Sequence, residues 1–136
     1  AFDMVVTIER ETNGYHWAQY RLGHCCLYGC GTVNNRSKGF EWFTKSAEQG
    51  NSMAMYFLGV CYGVGRGCDR NENKAVEWYE KSASLGMSVA MYYVGHLYRL
   101  GRLGVTKDLN KAREWYTKAA AQGHKSAQEA LDALDA

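Results

Sequence analysis

Apolar and polar positions along this chain repeat as a block. Residues 40–59 read FEWFTKSAEQGNSMAMYFLG, and residues 76–95 read VEWYEKSASLGMSVAMYYVG. A third version, REWYTKAAAQGHKSAQEALD, occupies 113–132. Gly23, Gly59 and Gly95 stand 36 residues apart, as do Ala18, Ala54 and Ala90, and Tyr20, Tyr56 and Tyr92. Trp42, Trp78 and Trp115 follow at spacings of 36 and 37, and so do Gly50, Gly86 and Gly123. The extra residue of the last interval falls between Gly95 and Asp108, in a Gly-rich stretch that tolerates insertion.

Fixed periods of this length are the mark of helical repeat arrays. Each unit predicts two helices. Helix A is expected over 16–29, 52–64 and 88–101, and helix B over 36–49, 72–85 and 109–122. Asn35, Asn71 and Asp108 share the aligned position before helix B, where a short polar side chain accepts from the free N–H groups of a first turn. Gly50, Gly86 and Gly123 stand where helix B should stop, since glycine takes the left-handed conformation there at little cost. Glu41/Lys45, Glu77/Lys81 and Glu114/Lys118 are i, i+4 pairs on the outer side of helix B. Each is worth about 0.2–0.5 kcal/mol, so they tune a helix without defining it.

The units are expected at 15–50, 51–86 and 87–123, within a single repeat domain over 1–136. Residues 1–14 read as the second half of a degenerate repeat, and 124–136 as the first half of a further one. One hairpin of this size cannot bury its apolar face alone; stacked copies bury one another's, so the stacking residues must recur. The expected fold class is all-α, a right-handed α-solenoid of antiparallel helix pairs.

The pattern resembles the Sel-1-like repeat family. The residues that carry the resemblance are Ala-x-Tyr-x-Leu-Gly at 54–59, the loop Tyr62-x-x-Gly65-x-Gly67, and Lys74-Ala75 followed by Trp78-Tyr79, Lys81, Ala83 and Gly86. Tetratricopeptide repeats share the hairpin but have a period of about 34 and lack this loop and the Trp-Tyr pair. In the first unit Cys26 replaces the loop tyrosine and Gly39 replaces the alanine. The resemblance implies adaptor work in larger complexes. Eukaryotic members of the family serve membrane-protein quality control and signalling, and bacterial members are often secreted or envelope-associated.

Helix angle, at about 100° per residue, divides helix A into two sides. Ala18, Leu22, Cys25, Cys26 and Gly29, with Ala54, Leu58, Cys61, Tyr62, Ala90, Val94, Leu97 and Tyr98, form the expected core side. The other side, which lines the concave surface in stacked hairpins, holds Tyr20, Arg21, His24, Tyr56, Phe57, Val60, Tyr92, Tyr93, His96 and Arg99, flanked by Trp17, Met53 and Val89. These are the candidate partner-binding residues. Two roles are open to Tyr20, Tyr56 and Tyr92: packing between neighbouring A helices, or anchoring a partner peptide. Arg21, Phe57 and Tyr93 differ between units, which assigns them to the groove and predicts that their loss costs little stacking. Trp42, Trp78 and Trp115 are expected to be buried between helices A and B.

Composition narrows the choice of chemistry. The 136 residues carry 16 basic and 14 acidic side chains, a net charge of +2 too balanced to argue for nucleic acid. No apolar run approaches the ~20 residues of a membrane span, so no membrane insertion is expected, and no signal-peptide pattern is present. The chain begins at Ala1 without Met, as a processed product or a fragment would. Five cysteines, an odd number, tilt towards a reducing compartment such as the cytoplasm, or towards a piece cut from an oxidised parent. His24, Cys25, Cys26 and Cys30 have poor spacing for a metal site, and Cys25, Cys26 and Cys61 read as small core residues. Some bacterial members of the family carry disulfides between cysteines on both helices of a unit; no cysteine lies on a helix B here. The run GVGRG at 63–67 follows a helix and lacks the closing Lys-Ser or Lys-Thr of a phosphate loop, so it reads as a turn.

No catalytic residue and no cofactor is predicted. The expected function is a non-catalytic scaffold holding a protein or peptide partner. The alternative is a regulatory segment of a larger enzyme or signalling protein, which a catalytic domain elsewhere in the full chain would reveal. A hydrolase, once suggested for some bacterial relatives, lacks its catalytic set here.

Overall fold

The computed structural model describes residues 15–29 and 35–135; the predicted half-repeat at 1–14 and Cys30 lie outside them. The described residues form seven helices and no strand. The chain divides into two compact units between Asn71 and Glu72. In the first, α1 (His16–Tyr28) packs on α2 (Arg36–Glu48), and α2 on α3 (Ser52–Val64). In the second, α4 (Glu72–Ser84), α5 (Ser88–Leu100), α6 (Leu109–Ala121) and α7 (Lys125–Asp135) pack each on the next. The A helices are α1, α3, α5 and α7.

Local chemistry sets these bounds. The Asn35 side chain accepts from the Lys38 N–H at 3.0 Å, and Asp108 from those of Asn110 and Lys111 at 3.0 and 3.2 Å. Asn51 caps α3 in the same manner through Ala54, at 2.9 Å. Gly50, Gly86 and Gly123 end the B helices with φ of 92°, 96° and 85°. One backbone bond closes the A-to-B turn in all three repeats: Asn35 N–H to Cys26 O, Asn71 N–H to Tyr62 O, and Asp108 N–H to Tyr98 O, at 2.8–2.9 Å. The last closure spans one residue more than the others, so the inserted residue is absorbed in the loop and the next helix keeps its place. That loop holds Leu103, a non-glycine residue at φ 53°.

The small or apolar side of helix A is the core, as expected. Leu22, Cys26, Ala54, Leu58, Cys61, Ala90, Val94 and Leu97 are buried, joined by Leu27, Met55 and Met91. Ala18, Cys25, Tyr62 and Tyr98 are only half-buried, and Gly29 is exposed. A buried polar seam runs under the first unit: Ser46 Oγ donates to the His16 carbonyl, and Gln49 Nε2 to Gln19 Oε1 at 2.8 Å.

The tryptophans depart from expectation. Trp42 is buried, but Trp78 and Trp115 are only half-buried. The core aromatics are Phe43, Tyr79 and Tyr116, one residue later, at 0%, 3% and 0% exposure. A glycine on the facing A helix makes room for the ring: a Cβ on Gly23 would meet Phe43 Cδ1 at 2.9 Å, and one on Gly95 would meet Tyr116 Cε1 at 2.6 Å. Trp42 clusters with Leu22 and Cys26, where a small thiol replaces Tyr62 and Tyr98 of the other repeats and leaves space for the indole. Lys45, Lys81 and Lys118 lie 4.7, 4.5 and 4.6 Å above the Trp42, Trp78 and Trp115 rings. The outer lysines thus cover the indoles they follow by three residues, a cation–π contact worth about 0.5–1 kcal/mol when exposed.

Cys25, Cys26, Cys61 and Cys68 are thiols. Burial first, and the neighbouring Cys68 second, push the Cys61 thiol up to about 12, so it stays protonated and unreactive. Reductant should therefore leave the thermal midpoint unchanged. A fall matching the 2–5 kcal/mol of a native disulfide would contradict this assignment.

Candidate interaction faces on the A helices

In the first unit, the outward residues of α1 form a continuous ladder of rings. Trp17 and Tyr20 meet edge to face at 6.0 Å, Tyr20 and His24 lie 6.2 Å apart, and His24 and Tyr28 lie 4.7 Å apart. Trp17 is 57% exposed and Tyr28 41%, while Tyr20 and His24 are half-buried. Arg21 stands exposed beside them, and Arg66 lies 5.6 Å over the Tyr28 ring. Burial raises the Tyr20 pKa, partly offset by Arg21.

Phe57 of α3 joins this ladder from the side, 5.9 Å from Tyr20, 5.6 Å from His24 and 6.0 Å from Tyr28. It also stacks on Phe43 of α2, at 5.4 Å and 10°. Tyr56 meets Phe57 edge-on, and Val60 is half-buried one turn on. In the second unit, Tyr93 takes the equivalent place against Tyr79, at 4.6 Å. Removing Phe57 or Tyr93 therefore removes stacking between helices. The expectation that these varied positions are cheap to lose does not hold: each packs on the core aromatic of the preceding B helix.

The other outward residues of α5 converge on Tyr116 of α6. Tyr92 lies 5.7 Å from the Tyr116 ring, 4.3 Å from His96, and is stacked on His124 at 4.8 Å. Arg99 donates through Nε to the Tyr116 hydroxyl at 3.1 Å and through Nη2 to His96 Nδ1 at 3.0 Å. The Tyr116 hydroxyl is 2.9 Å from the same Nδ1. Its oxygen accepts from Arg99, so its proton points to Nδ1. Nδ1 then receives two donors, which places the ring's own proton on Nε2.

This arrangement favours neutral His96. Burial, followed by the charges of Arg99 and Arg102, lowers its pKa below the ordinary value of 6.5. A histidine whose folded pKa lies below its unfolded pKa contributes stability above the unfolded value and loses it as pH falls through that range. Stability should accordingly decline as pH drops below about 6.5, and His96→Gln should flatten that part of the profile, measured by urea unfolding at stepped pH. An unchanged slope in the variant would count against the assigned protonation.

Of the residues singled out in the sequence, the structure gathers Tyr20, His24 and Phe57 in one cluster and Tyr92, His96 and Arg99 in another. Tyr56 borders the first through Phe57, Val60 is half-buried on the same helix, and Arg21 is exposed beside it. Tyr116 and His124 escaped sequence reasoning. Tyr116 lies on a B helix beside a more conspicuous tryptophan, although the glycine opposite, Gly95, was a usable sign. Among the described residues no three His, Cys, Asp or Glu side chains gather as metal ligands. No helix among them is long and apolar enough to cross a membrane.

Comparison with known proteins agrees with this architecture. A Sel1 repeat protein from Oxalobacter formigenes is 37% identical, with a TM-score of 0.82 over 93% of this chain and 96% of that one. The protein c5321, described as a protective antigen of uropathogenic Escherichia coli displaying an SLR fold, is 40% identical with a TM-score of 0.83. That match covers 91% of this chain but only 27% of c5321. Helicobacter pylori cysteine rich protein B, at 24% identity and a TM-score of 0.73, shares the fold over 90% of this chain and 93% of its own. A search of curated proteins found no match. The fold class is therefore the all-α repeat solenoid of these relatives, a class that generally mediates protein–protein interaction. A model of the Sel1 repeat matches residues 18–51, 52–87 and 88–124, most of the chain, and the chain belongs to the Sel1 repeat family.

Proposed function

We propose that this chain is a non-catalytic scaffold that holds a protein or peptide partner on the outward faces of its A helices. The observation that carries this reading is the ring ladder of α1. Its inner members, Tyr20 and His24, are half-buried against Phe57, but Trp17 is 57% exposed and Tyr28, though it touches His24 and Phe57, still keeps 41% of its surface open. Aromatic and arginine side chains dominate measured interface energies, often at about 2 kcal/mol or more each. The outer faces of the B helices instead carry lysines lying on their own tryptophans, and such exposed charges contribute little to binding.

The test starts from a pull-down with the purified chain and mass spectrometry of what it retains. Trp17→Ala combined with Arg21→Ala should weaken the affinity of the recovered partner at least about tenfold with little change in thermal midpoint. Both side chains are exposed, so folding should survive their loss. Lys81→Ala with Lys118→Ala should change affinity less than about threefold at physiological salt. If the lysine pair is the more damaging, the partner sits on the B helices.

A further inference from the structure

We propose that Arg99 is a carboxylate receptor, built to take an aspartate or glutamate side chain of a bound peptide. The inference rests on the reading that an A-helix face holds such a partner, and adds the chemistry it must present. Arg99 makes its two hydrogen bonds with the side edge of the guanidinium, Nε to Tyr116 and Nη2 to His96. Both acceptors are neutral, and among the described residues no carboxylate meets Arg99. The end edge of the fork, one hydrogen from each Nη nitrogen, keeps both donors. That edge matches the two oxygens of a carboxylate in the bidentate geometry that makes such pairs strong.

The receptor is held in place before a ligand arrives. Its anchors come from two helices: His96 from α5, and Tyr116, which is fully buried, from α6. A long side chain ordinarily loses rotamer freedom on binding; here two hydrogen bonds have already fixed it. The strongest charges acting on neighbouring His96 are those of Arg99 and Arg102, both positive. The first and second repeats carry Leu27 and Gly63 at the position of Arg99, so the acidic requirement belongs to the third repeat alone. A single fork suits a planar, singly charged carboxylate. A phosphate, with three oxygens and nearly twice the charge, calls for several such donors.

A random dodecapeptide library displayed on phage, selected against the whole chain, supplies the probes. Recovered peptides are synthesised with acetylated and amidated ends, so that only side-chain carboxylates remain. We expect enrichment in Asp or Glu, and an affinity loss of about tenfold or more when that residue becomes Gln or Asn. In Arg99→Gln the acidic and amide peptides should bind within about threefold of each other. Arg99→Lys, which keeps the charge but not the fork, should also lose most of the preference. Arg102→Gln makes none of these contacts and serves if the Arg99 variants unfold: it should lower affinity for the acidic peptide modestly and leave the amide peptide unchanged.

Peptides without acidic residues, or indifference to the amide replacement, would overturn the carboxylate receptor. If their amide-shift footprint still lies on α1, α3 or α5, the interaction face stands without it; a footprint on α2, α4 or α6 would sink both. A phosphoserine peptide binding more than tenfold tighter than its glutamate counterpart would make this a phosphate site instead. A library that yields no binder also overturns the inference, leaving the face itself to the pull-down.

Discussion

Tyr116→Ala should lower the free energy of unfolding by about 3–5 kcal/mol, the cost of deleting a large, fully buried aromatic. Trp115→Ala, one residue earlier and larger, should cost only about 1–2 kcal/mol, because its ring is half-buried and partly covered by Lys118. The contrast follows from what faces each ring. Gly95 leaves a hollow on α5 that Tyr116 fills so closely that an added Cβ would lie 2.6 Å from it. Losing Tyr116 empties that hollow, and also strips Arg99 and His96 of the hydroxyl that joins them. Urea denaturation of the two variants decides the matter: equal losses, or a larger loss for Trp115, would mean that the core aromatic has been misassigned.

The second large effect is expected at Gly67. Its φ is +79°, a conformation that costs alanine about 1–2 kcal/mol. A Cβ there would also lie 2.3 Å from the Arg36 carbonyl oxygen and 2.8 Å from its carbon. Backbone in the first turn of α2 cannot step aside as a flexible side chain would. Gly67→Ala should therefore cost about 2–5 kcal/mol, adding the dihedral strain to the overpacking. Gly50 separates the two contributions. Its φ is +92° with nothing within 4 Å of an added Cβ, so Gly50→Ala should cost about 1–2 kcal/mol from the dihedral alone. Similar losses at both sites would show that contact with Arg36 does not constrain the loop.

Helix bounds were legible to within about a residue because three aligned copies place the same caps and stops. The one-residue insertion was legible for the same reason, and the backbone bond from Asp108 to Tyr98 shows why it is harmless. The choice between Trp and Tyr was harder to read. Adjacent residues on a helix differ by about 100°, so both members of the pair border the core stripe, and residue size favours the indole. The structure settles it by the hollow opposite, at Gly23 and Gly95. In the first repeat Cys26 lets Trp42 in as well.

The candidate faces were legible as lists of outward positions on helix A, but not as clusters. Angle alone gives Phe57 and Tyr93 the same standing as Arg21, yet these rings reach sideways to Phe43 and Tyr79 while Arg21 projects outward. Arg99 looked like one more polar neighbour. Its orientation depends on a hydroxyl from α6, a contact between helices that no single-helix projection contains.

Amide hydrogen exchange of the chain, compared with and without a partner recovered by pull-down, reads out the binding face without any substitution. Slowed exchange should be confined to α1, α3 and α5, the A helices that carry the candidate residues, at 16–28, 52–64 and 88–100. Protection concentrated instead on the B helices at 36–48, 72–84 and 109–121, with the A helices unchanged, would contradict the proposed face.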